Sequence, residues 1–380
     1  MNILHVYKTY YPDPTGGLQE AIRQIALATK SEEVKIRIFC LSPSPSPKKM
    51  TFEEGEVYRY KSWASPSSCD IGLWESIKGF RECVKWADVI HYQFPWPFAD
   101  ALHFLISHKK PTIITYHSDV VEKGFMGIAY HWLMKKMLRS MDIVVATSPK
   151  YIESSKELQK YVPREKLKVI PLGIDENVYQ KYSKKNLTNN ILKKFDLEDD
   201  GYFLFIGVFR KYKGIDYLIE ASKKSLLPVA IAGSGPLYKT YTEIAKSNDN
   251  VSFLGQISDS EKVALIEGCR GFILPSHLRS EAFGMVLVEA SIFSKPLITC
   301  EIGTGTSFVN IDQETGFVIS PKNSEELVLA MNKLASDRNL AEKMGANARA
   351  RYEKNFSSQA LGLSYFNLYK NLFEAYKTFR

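Results

Sequence analysis

Along the first 170 residues, short apolar runs alternate with stretches of helical period. Residues 3–7, 34–41, 88–92, 112–116, 142–146 and 168–171 are apolar runs of strand length. Segments 19–29 and 128–139 instead repeat their apolar positions every three or four residues. Strand and helix in repeated alternation predict a parallel sheet covered by helices. The run 42–47 is Ser-Pro three times over, so every second position lacks an N–H, which predicts an exposed extended loop. A stretch rich in Lys, Asn and Asp at 179–200 interrupts the pattern and marks a domain boundary. The alternation then restarts, with strands expected at 202–207, 228–232, 250–254, 271–275, 296–300 and 316–319, and 324–380 reads as helix throughout. The fold class expected is α/β, two Rossmann-like, doubly wound parallel-sheet domains. Such sheets bind ligands at the carboxyl ends of their strands.

Composition narrows the classes. The chain has 380 residues, 45% hydrophobic and 24% charged, which is ordinary for a globular protein and too long for one core. The opening segment reads at once as a buried strand and has no basic start followed by a long apolar run, so a cytoplasmic protein is expected. No apolar run approaches the roughly 18 residues of a membrane span. The five cysteines are odd in number and never spaced Cys-x-x-Cys, which predicts reduced thiols and neither a disulfide framework nor a zinc site. The net charge is +8 (50 − 42), with most of the excess in residues 1–170. A solvated basic face accounts for it, as would an anionic membrane surface or a lipid-phosphate acceptor. No long basic run points to nucleic acid.

The chemistry concentrates in 276–290, Ser-His-Leu-Arg-Ser-Glu-Ala-Phe-Gly-Met-Val-Leu-Val-Glu-Ala. It follows an apolar strand and opens a helix near Gly284 that is apolar on nearly every side, so the helix is expected to be buried. Glu289 within it then needs a partner, either protein or ligand hydroxyls. Glu281 precedes the helix, and the N–H groups of Phe283, Gly284 and Met285 would form a helix N-terminus suited to a diphosphate. Spacing alone equally allows a helix cap at Glu281 and a structural salt bridge at Glu289.

The segment resembles the motif of family 4 glycosyltransferases, in which two glutamates lie eight positions apart after a strand ending in Pro-Ser. The resemblance runs over essentially the whole chain. Gly16-Gly17 is similar to the family's glycine turn after the first strand, Tyr116-His117-Ser118-Asp119 to its histidine after a central strand, and Lys213-Gly214-Ile215-Asp216 to its basic turn. Ala232-Gly233-Ser234-Gly235-Pro236-Leu237 and Thr315-Gly316-Phe317 also fall in place. The family implies the GT-B fold: an acceptor-side domain over 1–175, a nucleotide-sugar-binding domain over 176–361, and a terminal helix from about 362 packed back onto the first domain.

Carried over, the resemblance implies that Gly16, Gly17 and Gly235 let backbone approach the donor. It places His117 and Glu281 at the transferred sugar, Lys213 on phosphate and Glu289 on ribose hydroxyls. The implied reaction retains anomeric configuration, and with no Asp-x-Asp pattern no cofactor or metal is required. Asp196, Glu198, Asp199 and Asp200 read as a solvated acidic run. The opening His5–Pro12 and the run 303–307 resemble mannosyltransferases of bacterial lipopolysaccharide and O-antigen assembly. The expected donor is therefore GDP-mannose and the acceptor a glycan or lipid-linked glycan, with peripheral membrane association possible for such an acceptor. A UDP-sugar donor and a non-catalytic sugar-nucleotide binder are the alternatives. A nicotinamide-dependent enzyme is disfavoured, because the loop 8–17 is too long for a Gly-x-Gly-x-x-Gly turn. One departure stands out: where the family commonly has an arginine after Gly207 this chain has Val208, and Arg210 is expected to take its place.

Overall fold

Every strand expected from the apolar runs is present in the computed structural model, which describes residues 1–13, 16–31, 33–66, 69–120 and 125–378. The first sheet contains β1 (Asn2–Val6), β2 (Lys35–Ser42), β3 (Lys49–Phe52), β4 (Gly55–Ala64), β5 (Ile71–Gly72), β6 (Val89–Phe94), β7 (Thr112–Tyr116), β8 (Ile143–Ala146) and β9 (Leu167–Val169). Their order is β3-β4-β2-β1-β6-β7-β8-β9, with β5 paired to β4. β3 and β5 run antiparallel to β4, and the other pairs are parallel. The central strands are buried along almost their whole length, which is why they read as continuous apolar runs. The sequence pattern did not show β3, β4 and β5. β4 buries only alternate residues over its first half and is exposed or half-buried beyond, so it lacks the apolar run used to find the others.

The second sheet contains β10 (Phe203–Ile206), β11 (Val229–Ala232), β12 (Val251–Gly255), β13 (Gly271–Leu274), β14 (Leu297–Cys300) and β15 (Gly316–Ile319), all parallel in the order β12-β11-β10-β13-β14-β15. Each sheet reverses its winding once, between β1 and β6 and between β10 and β13. Those reversals are where doubly wound sheets bind ligands.

The chain divides into two units, Met1–Gly173 with Ser358–Arg380, and Ile174–Ser357. It enters and leaves the second unit side by side, since Ile174 N–H donates to Phe356 O at 2.9 Å and Ile174 bridges Ser357. The boundaries expected at 175 and 361 therefore move to 173 and 357. The terminal helix Ser358–Thr378 begins four residues before the expected start and packs on the helix Gly17–Thr29. Gly362 permits that approach, because a Cβ there would stand 2.3 Å from Ala28 O. Tyr365, Tyr369 and Leu361 join Ile3, Ile22, Ile25 and Ile113 in one buried cluster.

The stretch read as a polar linker is folded. Helices Asn177–Gln180 and Lys185–Lys194 occupy it and bury Tyr179, Thr188, Ile191 and Leu192. Its acidic run is also not simply solvated, because Asp200 pairs with Arg270 at 2.7 Å and Arg338 at 3.2 Å. The Ser-Pro loop is mostly exposed as expected, and buried Arg59 anchors it by donating to Ser42 Oγ and to the carbonyls of Ser44 and Pro47. All five cysteines are free thiols, and burial pushes Cys83, Cys269 and Cys300 up to about 12. Among the described residues no helix is long and apolar enough to cross a membrane.

Candidate active site

In the second unit, the loops leaving β10 and β13 emerge side by side at the winding reversal. They are stitched together. His277 N–H donates to Tyr212 O at 2.9 Å, and a Cβ on Gly214 would fall 2.1 Å from Pro275 O. Gly214 adopts φ 70°, which glycine alone enters without strain. This stitching brings Lys213 to Glu281. The Lys213 ammonium bonds Glu281 Oε2, and Ser276 Oγ donates to the same oxygen at 3.0 Å. Both side chains keep about a tenth of their surface exposed.

Glu289 repeats the arrangement. Tyr179 OH donates to its Oε1 at 2.9 Å, and the Lys262 ammonium lies 3.1 Å from the same atom. In each glutamate, then, the protein occupies one carboxylate oxygen, and the other has no protein partner among the described residues. A buried unpaired oxygen would cost a few kcal/mol, but neither of these is sealed from solvent.

The helix Met285–Ile292 is less buried than its composition predicted. Leu287, Val288, Ala290, Ser291 and Ile292 are buried, whereas Met285, Val286 and Glu289 are only half-buried, with Met285 and Glu289 one turn apart. This is the face that accompanies the open carboxylate oxygen. Gly284 caps the helix at φ 82°, and the Phe283 side chain is core, its ring 6.0 Å from Phe356. Only the backbone of Phe283 and Gly284 can therefore serve a ligand. The loop is fastened by 303–307: Thr304 Oγ1 donates to Glu281 O at 2.7 Å and Gly305 N–H to Ala282 O at 2.8 Å.

After β10, Phe209 is fully buried between Val208 and Arg210, which are both exposed. Arg210 has extended backbone and no side-chain partner among the described residues. Gly235 has a structural reason to be glycine, because a Cβ would stand 2.6 Å from Phe209 N.

In the first unit, His117 follows β7 and is 5% exposed, with its Nε2 2.7 Å from Gln93 Oε1. Burial pulls its pKa down to about 3, so the imidazole is neutral. Gly16 caps the helix Gly17–Thr29, and the Gln19 side chain ties down its N–H at 3.0 Å. A Cβ on Gly17 would meet nothing within 4 Å, so the fold itself does not demand that glycine. Residues 14 and 15, just before the turn, lie outside the described residues.

Comparison with known proteins agrees with this geometry. Residues 15–178 match the family described as Glycosyltransferase Family 4, and residues 188–351 match Glycosyl transferases group 1. O-antigen chain mannosyltransferase C of Escherichia coli is 39% identical over 99% of this chain and 100% of its own length. This chain belongs to the family 4 glycosyltransferases. D-rhamnosyltransferase WbpZ of Pseudomonas aeruginosa is also 39% identical, over 94% of this chain and 93% of its own. Among solved structures, sucrose-phosphate synthase from Thermosynechococcus elongatus superposes with a TM-score of 0.79 at 21% identity, covering 98% of this chain and 99% of its own. Anabaena HepE in complex with UDP gives 0.78 at 17%, covering 98% and 100%. The fold of this glycosyltransferase is thus GT-B.

Sequence reasoning did not assign roles to Ser276, Tyr179, Lys262, Thr304 or Gln93. Ser276 sat inside the quoted motif, and Tyr179 stood at the start of the supposed linker. Lys262 carried no signal, since surface-helix lysines are common.

Proposed function

We propose that this glycosyltransferase moves mannose from GDP-mannose, with retention, to a lipid-linked glycan in O-antigen assembly. The observation that carries the reading is the pair of half-occupied glutamates at the winding reversal. Glu281 and Glu289 are each held by a lysine and a hydroxyl through one oxygen, so each offers the other oxygen to a ligand hydroxyl. Glu281 would take hydroxyls of the transferred sugar and Glu289 those of the ribose.

A nucleoside diphosphate leaves as an anion, so the chemistry needs positive charge near the phosphates more than a proton donor. Lys213 has two N–H bonds beyond the one given to Glu281, and Arg210 has its whole guanidinium free. With the amides at Gly284 and Met285 they would neutralise the leaving group without a metal. The acceptor hydroxyl would attack from the face the diphosphate leaves, which retains configuration. Peripheral work at the cytoplasmic face of a membrane suits a lipid-linked acceptor, and exposed Trp132 beside Lys136 offers an apolar and basic surface for it.

Equal identity to a D-rhamnosyltransferase supports a second reading, GDP-D-rhamnose, whose sugar is 6-deoxymannose. The deciding experiment is transfer and thermal shift with GDP-mannose, GDP-D-rhamnose, UDP-glucose and UDP-N-acetylglucosamine. A saturating donor at a hundred times its Kd stabilises by about 2.7 kcal/mol. Stabilisation by GDP and transfer from GDP-mannose are expected, and a response confined to UDP and its sugars overturns the donor assignment.

A further inference from the structure

Where a buried parallel sheet ordinarily carries Val, Ile and Leu, one stretch of the first sheet carries polar side chains. These are His5 on β1, His91 and Gln93 on β6, Thr115 on β7 and His117 just beyond it, all at most 5% exposed. Polar groups sealed in this way need partners, and their pairing follows two lines. In one, His91 Nδ1 lies 2.7 Å from Tyr369 OH, while Thr115 Oγ1 lies 2.7 Å from His91 Nε2 and 2.8 Å from Tyr365 OH. In the other, the Gln93 carboxamide spans two imidazoles, with Oε1 2.7 Å from His117 Nε2 and Nε2 3.4 Å from His5 Nδ1.

A carboxamide oxygen can only accept and its nitrogen can only donate. His117 Nε2 must therefore carry the proton, and in a neutral ring Nδ1 then keeps its lone pair. Nδ1 has no protein partner among the described residues and, unlike His5 Nε2, it is not sealed away. In the same orientation the amide N–H donates to His5 Nδ1. His5 Nε2 lies in the sealed interior with no partner.

We propose that Gln93 is a positioning residue that locks His117 in the Nε2–H tautomer, so that His117 offers the ligand an acceptor nitrogen. Resting on the transferase reading, this makes the group met by His117 a sugar hydroxyl and rules out a phosphate oxygen, which needs a donor. Among the described residues, the titratable groups near Gln93 and His117 are His5 from β1 and His91 on β6, with Tyr365 and Tyr369 of the terminal helix against His91, and none of them is a carboxylate acting on His5, His91 or His117. Nothing nearby therefore favours an imidazolium, and burial holds both His5 and His117 down at about 3.

Two measurements on the full chain test the proposal. In nitrogen-15 histidine spectra, with His117 assigned by difference from His117→Asn, the neutral Nε2–H form is expected at pH 7. The Nδ1–H form would overturn the proposal. In the second, Gln93→Glu sets a carboxylate of the same size against His117 Nε2, which raises its pKa and makes Nδ1 a donor at low pH. Donor kcat/KM is expected to fall about 10- to 100-fold at pH 6 and to recover as pH rises. Wild type has no such rise. A flat profile in Gln93→Glu, with wild-type melting temperature and turnover, overturns the proposal. If Gln93→Glu does not fold, the wild-type tautomer still decides. If wild type transfers no sugar at all, the transferase reading fails while the spectra judge the tautomer independently.

Discussion

The two units meet their ligand chemistry with opposite materials. In the second unit the proposed functional side chains are charged and about a tenth to a fifth exposed: Lys213 with Glu281, and Lys262 with Glu289. In the first unit they are neutral and buried: His117, Gln93 and His5 are each at most 5% exposed. The difference follows from solvent. An ion pair close to water keeps its charge at modest cost, whereas a histidine taken into a sheet interior loses its proton because the charged form loses its hydration. On the proposed function, the charged unit would hold phosphates and polarised hydroxyls by charge. On the same reading, the other would recognise a hydroxyl by hydrogen-bond direction.

The comparison breaks most severely at Glu281. Glu281→Gln keeps the shape but removes the charge that Lys213 and a sugar hydroxyl both meet, and transfer is expected to fall about a hundredfold or more with an unchanged melting temperature. Wild-type turnover would leave Glu281 with no part in binding the sugar. Next come the cations. Lys213→Ala and Arg210→Ala are each expected to lower kcat/KM by about tenfold or more, since a charge-assisted contact is worth about 1.5–3 kcal/mol. Loss in Lys213→Ala alone would show that exposed Arg210 does not replace the arginine absent at Val208.

The neutral unit is tested by acid. Protonation is blocked in the folded state down to about 3 at His5 and His117 and to about 4 at His103, while the unfolded chain binds those protons near 6.5. The unfolded state thus holds more protons between those limits. Stability is therefore full above about pH 6.5 and falls as pH drops toward 3, each histidine adding a slope approaching ~1.4 kcal/mol per pH unit. Asp100 works the other way: burial raises it to about 7, so its contribution is present at low pH and is lost as pH rises through 7. Three histidines against one aspartate predict net loss in acid, measurable as denaturant midpoints from pH 7 to pH 4.5. A midpoint that rises in acid would contradict the buried neutral cluster. The smallest effect expected is that of EDTA, which should leave transfer within twofold, roughly the scatter of the assay. Recovery of lost activity by magnesium or manganese would show that cationic side chains do not suffice.

Much of this was legible in the sequence because the signals are local. Twelve strands appeared as apolar runs, most of them buried on both faces, where a parallel sheet needs apolar residues at every position. Glu281 and Glu289 were picked out by their eight-residue spacing around one turn and helix N-terminus, and Lys213 by its own basic turn after another strand. Where one face is solvated, as in β4, the run disappears and so did the prediction. The stretch 179–200 misled for the related reason that its few buried residues, Tyr179, Thr188, Ile191 and Leu192, are diluted by lysine and asparagine.

The sequence by itself determined the α/β alternation, the two-unit division and the family. The tertiary structure alone decided which groups are shared. That Lys213 and Ser276 take one oxygen of Glu281, that Tyr179 reaches Glu289 from 110 positions away, and that Gln93 bridges His5 and His117 all depend on strand order. Neighbouring strands in a doubly wound sheet come from distant parts of the chain. Burial then sets the charge state of whatever they bring together, and that too is a property of the neighbourhood, not of the residue type.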